Sequence, residues 1–554
     1  MASNKFLSAL ILLTGIFGSL SAQDRYAVYF KYKPQATFSL TKPQEFLTQG
    51  AIDRRTREGV RPDSLDLPVS KKYVDAVKEK ADYLLYESKW LNASILVTTK
   101  GKADEIRVFP FVAKVELVGI GYLDNPNSRL DKKIHAPQVS KNQKEEKPSS
   151  RELQLNENSY DFQNKLIGIP EMHKEGFKGK GITIAVFDAG FPGANTASSL
   201  IHLQTKKQIV STRDFVRPWN TNVYADNQHG TNVLSLIASN EPGKMLSGAP
   251  DANYILVMTE EVATEYWVEE YNWVRGAEYA DSLGVDIISS SVGYWDFDDP
   301  AMNYTVSDLD GKTTTITKGA TIAAKKGILV VNSAGNYGPG VSSLVAPADA
   351  KGILAVGSVS KDLTVSGFSS RGPTGDGRIK PDLAALGTGT ALVRSNGTVG
   401  FSNGTSFSAP QISALAAGLW EARPEWTKDQ LMMNLLKSAT QADKPDNLIG
   451  YGIPNFFKAY YGEILAVEET PETVLWKVFP NPMASDELSI YFGSGLSGQF
   501  TLLDKNGRMV QTFKLSRAGI AEPFRISLQG VKPGFYIVQM EDGQLIKRAK
   551  LFKQ

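Results

Sequence analysis

Four side chains standing at the ends of apolar runs are of the types that acyl-transfer chemistry uses. Ser406 lies in Phe401-Ser-Asn-Gly-Thr-Ser406-Phe-Ser-Ala-Pro410, behind a glycine turn and ahead of an apolar run from Ala409 to Trp420 with helical spacing. A hydroxyl there either caps the helix, because Ser and Thr oxygens satisfy free backbone N–H groups, or serves as a nucleophile facing a cleft. His229, in Asp226-Asn-Gln-His-Gly-Thr-Asn232, enters the apolar helix Val233 to Ala238. It is either a polar group at a helix entrance or a general base; Gly230 leaves space for another backbone or a substrate, and Thr231 can cap. Asp188 ends the run Ile182 to Phe187 and is followed by Ala-Gly-Phe-Pro-Gly193, so it is a turn-former or an acid reaching toward a histidine. Asn336 ends Val330-Val-Asn-Ser-Ala-Gly335-Asn336 and is a turn residue or an amide donor to a developing oxyanion, a contribution of about 3 to 4 kcal/mol where measured.

The rest of the composition narrows the chemistry. The chain has no cysteine, which removes thiolate nucleophiles, disulfides and Cys-based metal sites. Its histidines are His135, His173, His202 and His229, and only His229 stands at a strand or helix end; His135 falls in a polar linker, the other two in polar segments. The 61 basic and 59 acidic side chains nearly cancel, so no overall field argues for nucleic acid or an anionic membrane as partner.

These residues need rigid elements to position them. Ile182–Phe187, Tyr254–Met258, Val285–Ile288, Gly327–Val331 and Ile353–Gly357 read as buried strands, with helices over Gly230–Ser239, Trp267–Leu283 and Gly319–Lys326 between them. Strand–helix alternation with fully apolar strands predicts an α/β domain whose parallel sheet is covered on both faces. Sites in such sheets form outside the carboxyl ends of the strands, where Asp188 and Asn336 stand.

Taken in order, Val186-Phe-Asp188-Ala-Gly, His229-Gly-Thr, Ala334-Gly-Asn336 and Gly404-Thr-Ser406-Phe-Ser-Ala-Pro410 resemble the motifs of the subtilisin family of serine peptidases. The resemblance covers about residues 156–462 and implies the family's three-layer fold with a seven-stranded parallel sheet. It also implies roles: Ser406 as nucleophile, His229 as base, Asp188 holding the imidazole, Asn336 and the Ser406 N–H at the oxyanion. Ser290-Ser-Val-Gly293 looks like the family's substrate-pairing edge strand, which makes Ser291, Val292 and Gly293 candidate substrate-binding residues on a polypeptide. Asn232 stands where many relatives have a second histidine, and Leu386 where a proline is common; a packing change is expected from the first. No cofactor is required. In the polar insert Tyr294–Thr317, Asp308-Leu-Asp310 suggests calcium, yet two carboxylates fall short of six to eight oxygen ligands and a plain turn is favoured, so no metal residue is assigned. The alternative function is a catalytically inactive surface binding or adhesion protein on the same scaffold; four intact site residues favour the serine endopeptidase.

The flanks read separately. Residues 1–22, with Lys5, the apolar run Phe6–Phe17 and small residues up to Ala22, are expected to be a signal peptide; the run is too short for a membrane span of about 20 residues. An exported chain, extracellular or on the outer cell surface, follows. Residues 23–122 carry strand patterns at Tyr26–Phe30, Ala93–Val97 and Val115–Val118 and helical patterns at Ile52–Gly59 and Ser70–Tyr86, a small α+β unit. It resembles the ferredoxin-like propeptides of subtilisin relatives, which implies an inhibitor and folding partner removed within a polar linker, residues 123–155. After the peptidase-like stretch 156–465 and a linker at 466–475, residues 476–554 show hairpin signals at Lys505-Asn-Gly507 and Glu541-Asp-Gly543 and are expected to form a β-sandwich. Val478-Phe-Pro-Asn-Pro482, Val531-Lys-Pro-Gly-Phe-Tyr536 and the basic tail Lys547–Lys550 resemble the C-terminal sorting domain of the type IX secretion system of Bacteroidetes, implying that machinery as a partner.

Overall fold

The carboxyl ends of the buried parallel strands all open on one edge, and the chain's chemistry gathers there. The computed structural model describes residues 23–35, 37–121, 158–465, 476–492, 496–518, 523–541 and 546–554, so the expected signal segment and both linkers lie outside the described residues. The chain divides into two compact units, Met1–Tyr460 and Tyr461–Gln554. The expected N-terminal unit and the α/β domain therefore belong to one body.

The N-terminal part runs β1 (Asp24–Phe30), α1 (Gln49–Arg57), α2 (Lys71–Lys80), β2 (Tyr83–Ser88), β3 (Ala93–Thr98), α3 (Lys100–Arg107) and β4 (Val112–Gly119). Its antiparallel sheet has the order β2-β3-β1-β4, the ferredoxin-like arrangement. One correction concerns residues 70–86, expected as a single helix: the helix stops at Lys80, and Tyr83–Ser88 pairs with β3. Leu84-Leu85-Tyr86 satisfies a helical and a strand pattern alike, and sheet pairing decides.

The central part contains β5 (Thr183–Asp188), β6 (Ile209–Asp214), α4 (His229–Ala238), β7 (Asn253–Met258), α5 (Val268–Leu283), β8 (Ile287–Ser290), α6 (Thr315–Lys325), β9 (Leu329–Ser333), β10 (Leu354–Val359), β11 (Leu383–Leu386) and α7 (Thr405–Ala422). Seven strands form one sheet in the order β11-β10-β9-β8-β5-β7-β6, and every neighbouring pair is parallel. Side chains alternate between two cores. Ile184 and Val186 face one with α4 and α7, whereas Ala185 and Phe187 face the other with α5 and α6. With both faces covered, the strands read as continuous apolar runs.

The N-terminal sheet is packed on α5. Leu85, Tyr86, Trp90, Ile95 and Val97 share one buried cluster with Tyr271, Trp273 and Val274. At the rim, Arg54 and Arg55 both donate to Asp281 of α5, Arg55 also pairs with Asp66, and Lys326 reaches Asp66 and Asp63. Arg54, Arg55, Asp66 and Asp281 are buried, so the join is ionic as well as apolar.

In the second unit, β12 (Trp476–Phe479), β13 (Glu487–Phe492) and β16 (Phe524–Ser527) form one antiparallel sheet, ordered β12-β13-β16. A second contains β14 (Ser497–Asp504), β15 (Met509–Ser516), β17 (Gly534–Glu541) and β18 (Ile546–Lys553), ordered β15-β14-β17-β18. Ile490 and Phe524 from the first sheet and Phe500, Leu502, Val538 and Met540 from the second share one core, a β-sandwich. The hairpin at 505–507 forms with Gly507 at φ 77°, a left-handed conformation that favours glycine. The hairpin signal at Glu541-Asp-Gly543 runs into residues outside those described.

Candidate active site

The helix that carries Ser406 begins on a glycine. Gly404, at φ 152°, is the N-cap of α7, and Ser406 is the helix's second residue, so the serine does not cap its own helix. Two other groups serve the helix end. Asn336 Oδ1 accepts from the Thr405 N–H and the Thr405 hydroxyl, each at 3.0 Å. The Ser406 N–H, one of the orphan donors of a first helical turn, has no acceptor among the described residues.

Pro410 explains another contact. It has no N–H to give the Ser406 carbonyl four residues earlier, and the Ser291 hydroxyl donates to that carbonyl instead, at 2.9 Å. In return the Ser406 hydroxyl donates to the Ser291 carbonyl at 3.2 Å. The two chain ends, one just past β8 and the other opening α7, are thus tied together.

Asp188 closes β5 and is fully buried. Its carboxylate accepts from the Ala189 N–H at 2.8 Å and meets His229 Nδ1 with both oxygens, at 2.9 Å each. This fixes Nδ1 as the protonated nitrogen and leaves Nε2 the acceptor. His229 is the first residue of α4, its N–H held by Asn227 Oδ1, and its ring lies 5.5 Å from that of Phe407, the neighbour of Ser406. Gly230 is required here: a Cβ would sit 2.2 Å from the Gly190 carbonyl and 2.9 Å from Asp188 Cβ. The space it leaves is filled by backbone. Thr231 does not cap; its hydroxyl donates to the Pro192 carbonyl, because the helix starts earlier than its position needs.

Ser291, Val292 and Gly293 continue beyond the end of β8. Asn332 donates to the Val292 carbonyl, and Tyr294 pairs with Ala346 in both directions, which fixes the segment from either side. Among the described residues there is no cluster of acidic and histidine side chains suited to a metal. Asp308 and Asp310 spend their oxygens on Thr305, Lys312 and Thr313 in local turns.

Burial pulls the His229 imidazole down, but the Asp188 carboxylate, by charge and hydrogen bond, with Glu260 adding its charge, leaves it above the ordinary histidine value. Glu260 itself was not singled out in the sequence. Burial pushes its carboxyl up to about 7 against hydrogen bonds from Thr259 and Tyr294, with Asp188 raising it further and His229 opposing. It stands just past the carboxyl end of β7, so the strand-end rule that located Asp188 would have found it. Thr405 was read only as part of a Gly-Thr-Ser triplet, and its grip on Asn336 depends on tertiary proximity.

Three stretches of the chain match known protein families. Residues 179–452 match the Subtilase family, Peptidase S8; residues 25–133 match the Peptidase S8 propeptide domain of Bacteroidota; residues 477–554 match the secretion system C-terminal sorting domain. The sorting domain marks the chain for export, and among the described residues no helix is long and apolar enough to cross a membrane. The major intracellular serine protease of Bacillus subtilis (strain 168) is 31% identical over 301 residues, covering 52% of this chain and 85% of that one. Serine protease AprX of the same organism is 29% identical over 314 residues, and the chain spans only 65% of its length. The crystal structure of an epidermin leader peptide processing serine protease from Staphylococcus aureus shares the fold, with a TM-score of 0.53 at 16% identity over 79% of this chain and 99% of that one. On the family match and the coverage of the intracellular relative, the chain belongs to the subtilase family.

Proposed function

We propose that the chain is a secreted serine endopeptidase in which Ser406 is the nucleophile, His229 the general base and acid, Asp188 its orienting carboxylate and Asn336 an oxyanion donor. The observation that carries the reading is the Asp188–His229 pair beside Ser406's helix. With Nδ1–H committed to a buried carboxylate, Nε2 is left as the acceptor, in a ring 5.5 Å from that of Phe407, the neighbour of Ser406.

The steps follow from these positions. The Ser406 hydroxyl turns from the Ser291 carbonyl to Nε2 and loses its proton there as Oγ bonds to the scissile carbonyl carbon. The resulting oxyanion accepts from the Ser406 N–H and from Asn336 Nδ2. The orientation of that amide is supported by Thr405, which occupies Oδ1 and so turns the NH2 group outward. The C–N bond then breaks, Nε2–H passes its proton to the leaving amine, and water repeats the sequence on the acyl-enzyme to free the acid and restore Ser406. Ser291, Val292 and Gly293 pair with the substrate backbone. The N-terminal unit acts as inhibitor and folding partner, and cleavage within 123–155 releases it.

Steady-state kinetics on a peptide substrate test the assignment. Ser406→Ala should lower kcat by about a million-fold, the loss measured for subtilisin itself. Asn336→Ala should lower kcat by about 10²- to 10³-fold with KM little changed, again the scale known from subtilisin. Turnover surviving either change at near wild-type rates sinks the corresponding role.

A further inference from the structure

Beside the proposed triad stands a carboxylate with no basic partner. Glu260 follows β7, the strand whose Met258 lies in register with Asp188. Its oxygens are held by the Tyr294 hydroxyl, at 2.7 Å to each, and by the Thr259 hydroxyl at 2.6 Å. Only hydroxyls hold it; among the described residues no Lys or Arg pairs with Glu260, Glu265 or Glu269. Glu269 is 1% exposed, and its Oε2 has no hydrogen-bond partner among the described residues.

The charges of this wall reinforce one another. Burial drives Glu265 up to about 8, with the charge of Glu260 adding to it, and burial together with the charges of Glu265 and Glu260 raises Glu269 well above the ordinary carboxylate value. Burial and like-charge repulsion thus favour the protonated carboxyls, and a cation placed among them favours the carboxylate form instead. The neighbouring Glu261 already shows the pattern, since Arg25 of the N-terminal unit pairs with it. Tyr294, which positions Glu260, is adjacent in sequence to the Ser291–Gly293 segment that the preceding reading assigns to the substrate backbone. On that reading a bound polypeptide runs past the segment next to the tyrosine that holds Glu260.

We propose that Glu260, backed by Glu265 and Glu269, forms an acidic subsite that takes a Lys or Arg side chain of the polypeptide substrate close to the scissile bond. The inference rests on the reading of Ser406 as a peptidase nucleophile. The hydroxyls of Tyr294 and Thr259 hold the Glu260 carboxyl in place, which limits the rearrangement that recognition of a cation requires. The Glu260 charge adds to the pull on the His229 imidazole, and a bound cation offsets it.

The test is kinetic, on the full chain after self-processing. A quenched-fluorescence peptide set scans Arg, Lys, Gln and Glu through the four positions on each side of one cleavage site. Wild type should show, at one position, kcat/KM at least about tenfold higher for Arg or Lys than for Gln, with Glu poorest, as for a desolvated charge pair. Glu260→Gln should bring that ratio to within about twofold, and Glu260→Lys should turn the preference toward Glu. A wild-type enzyme that cleaves with no basic preference at any position overturns the proposal whether or not the variants fold. So does Glu260→Gln enzyme that keeps the preference. If wild type cleaves no peptide and a fluorophosphonate fails to label it, the peptidase reading itself has failed, which is a distinct result.

Discussion

Asp281→Asn should loosen the N-terminal unit from the rest of its body by about 3 kcal/mol. Asp281 is fully buried and accepts from Arg55 with both oxygens, at 2.9 and 2.7 Å, while Arg54 also donates to it. Breaking a buried ion pair by removing one partner costs about 3 to 5 kcal/mol, since the remaining charge is stranded. Two contacts hold the loss to the lower end of that range. Arg55 keeps its bidentate pair with Asp66, at 3.0 and 2.8 Å, and Arg54 keeps the Val285 carbonyl at 2.7 Å. A loss of about 3 kcal/mol corresponds to a change of about 150-fold in the docking equilibrium. The assay uses the full chain carrying Ser406→Ala, so that no self-cleavage intervenes, and follows urea-induced exposure of Trp90, whose side chain is buried against α5 and whose backbone N–H donates to Glu278. A Trp90→Phe control identifies that signal among the other tryptophans. A double-mutant cycle with Arg55→Met isolates the pair from any damage to α5. A loss below about 1 kcal/mol, or a coupling near zero, refutes the argument that this buried network holds the unit in place.

Two further outcomes follow from the site's construction. Gly230→Ala should reduce kcat/KM by more than about 100-fold, because the added methyl meets a carbonyl at 2.2 Å and forces α4, with His229, away from Asp188; progress curves on a chain shown by circular dichroism to be folded check this. The acid limb of kcat/KM should have its midpoint above about 6.5, the unperturbed histidine value, because the raised imidazole must lose its proton before it acts as base. A midpoint below that value removes the Asp188 pairing from the active form.

Much of the fold is readable in the chain because the buried strands are uninterrupted apolar runs. Tyr254–Met258 and Val330-Val331 sit in strands at the expected places. β6 was not expected: Ile209-Val-Ser-Thr-Arg-Asp214 is an edge strand with one polar face and carries no such run. β11, Leu383-Ala-Ala-Leu386, is four residues long and matches a helix turn equally well. At the proposed site, Asp188 ends β5, His229 begins α4, Ser406 lies in the first turn of α7 and Asn336 follows β9 by three residues, places that the apolar runs mark in the sequence. The contacts of Thr405 with Asn336, of Ser291 with Ser406 and of Tyr294 with Glu260 were not legible, because they join residues 69, 115 and 34 positions apart. Of the two readings of Ser406, the cap is the one the structure does not bear out: Gly404 caps α7, and Ser406 stands within the first turn, its N–H without an acceptor among the described residues.

The central claim is that Ser406 is the nucleophile activated by His229, and covalent labelling measures it most directly. The processed wild-type protein is treated with a fluorophosphonate, digested and mapped by mass spectrometry, beside His229→Ala protein at the same concentration. The account predicts a single adduct on Ser406 that forms with loss of activity, and labelling slowed by about 10³-fold or more without His229. An adduct on another residue, or equal labelling rates in the two proteins, contradicts it.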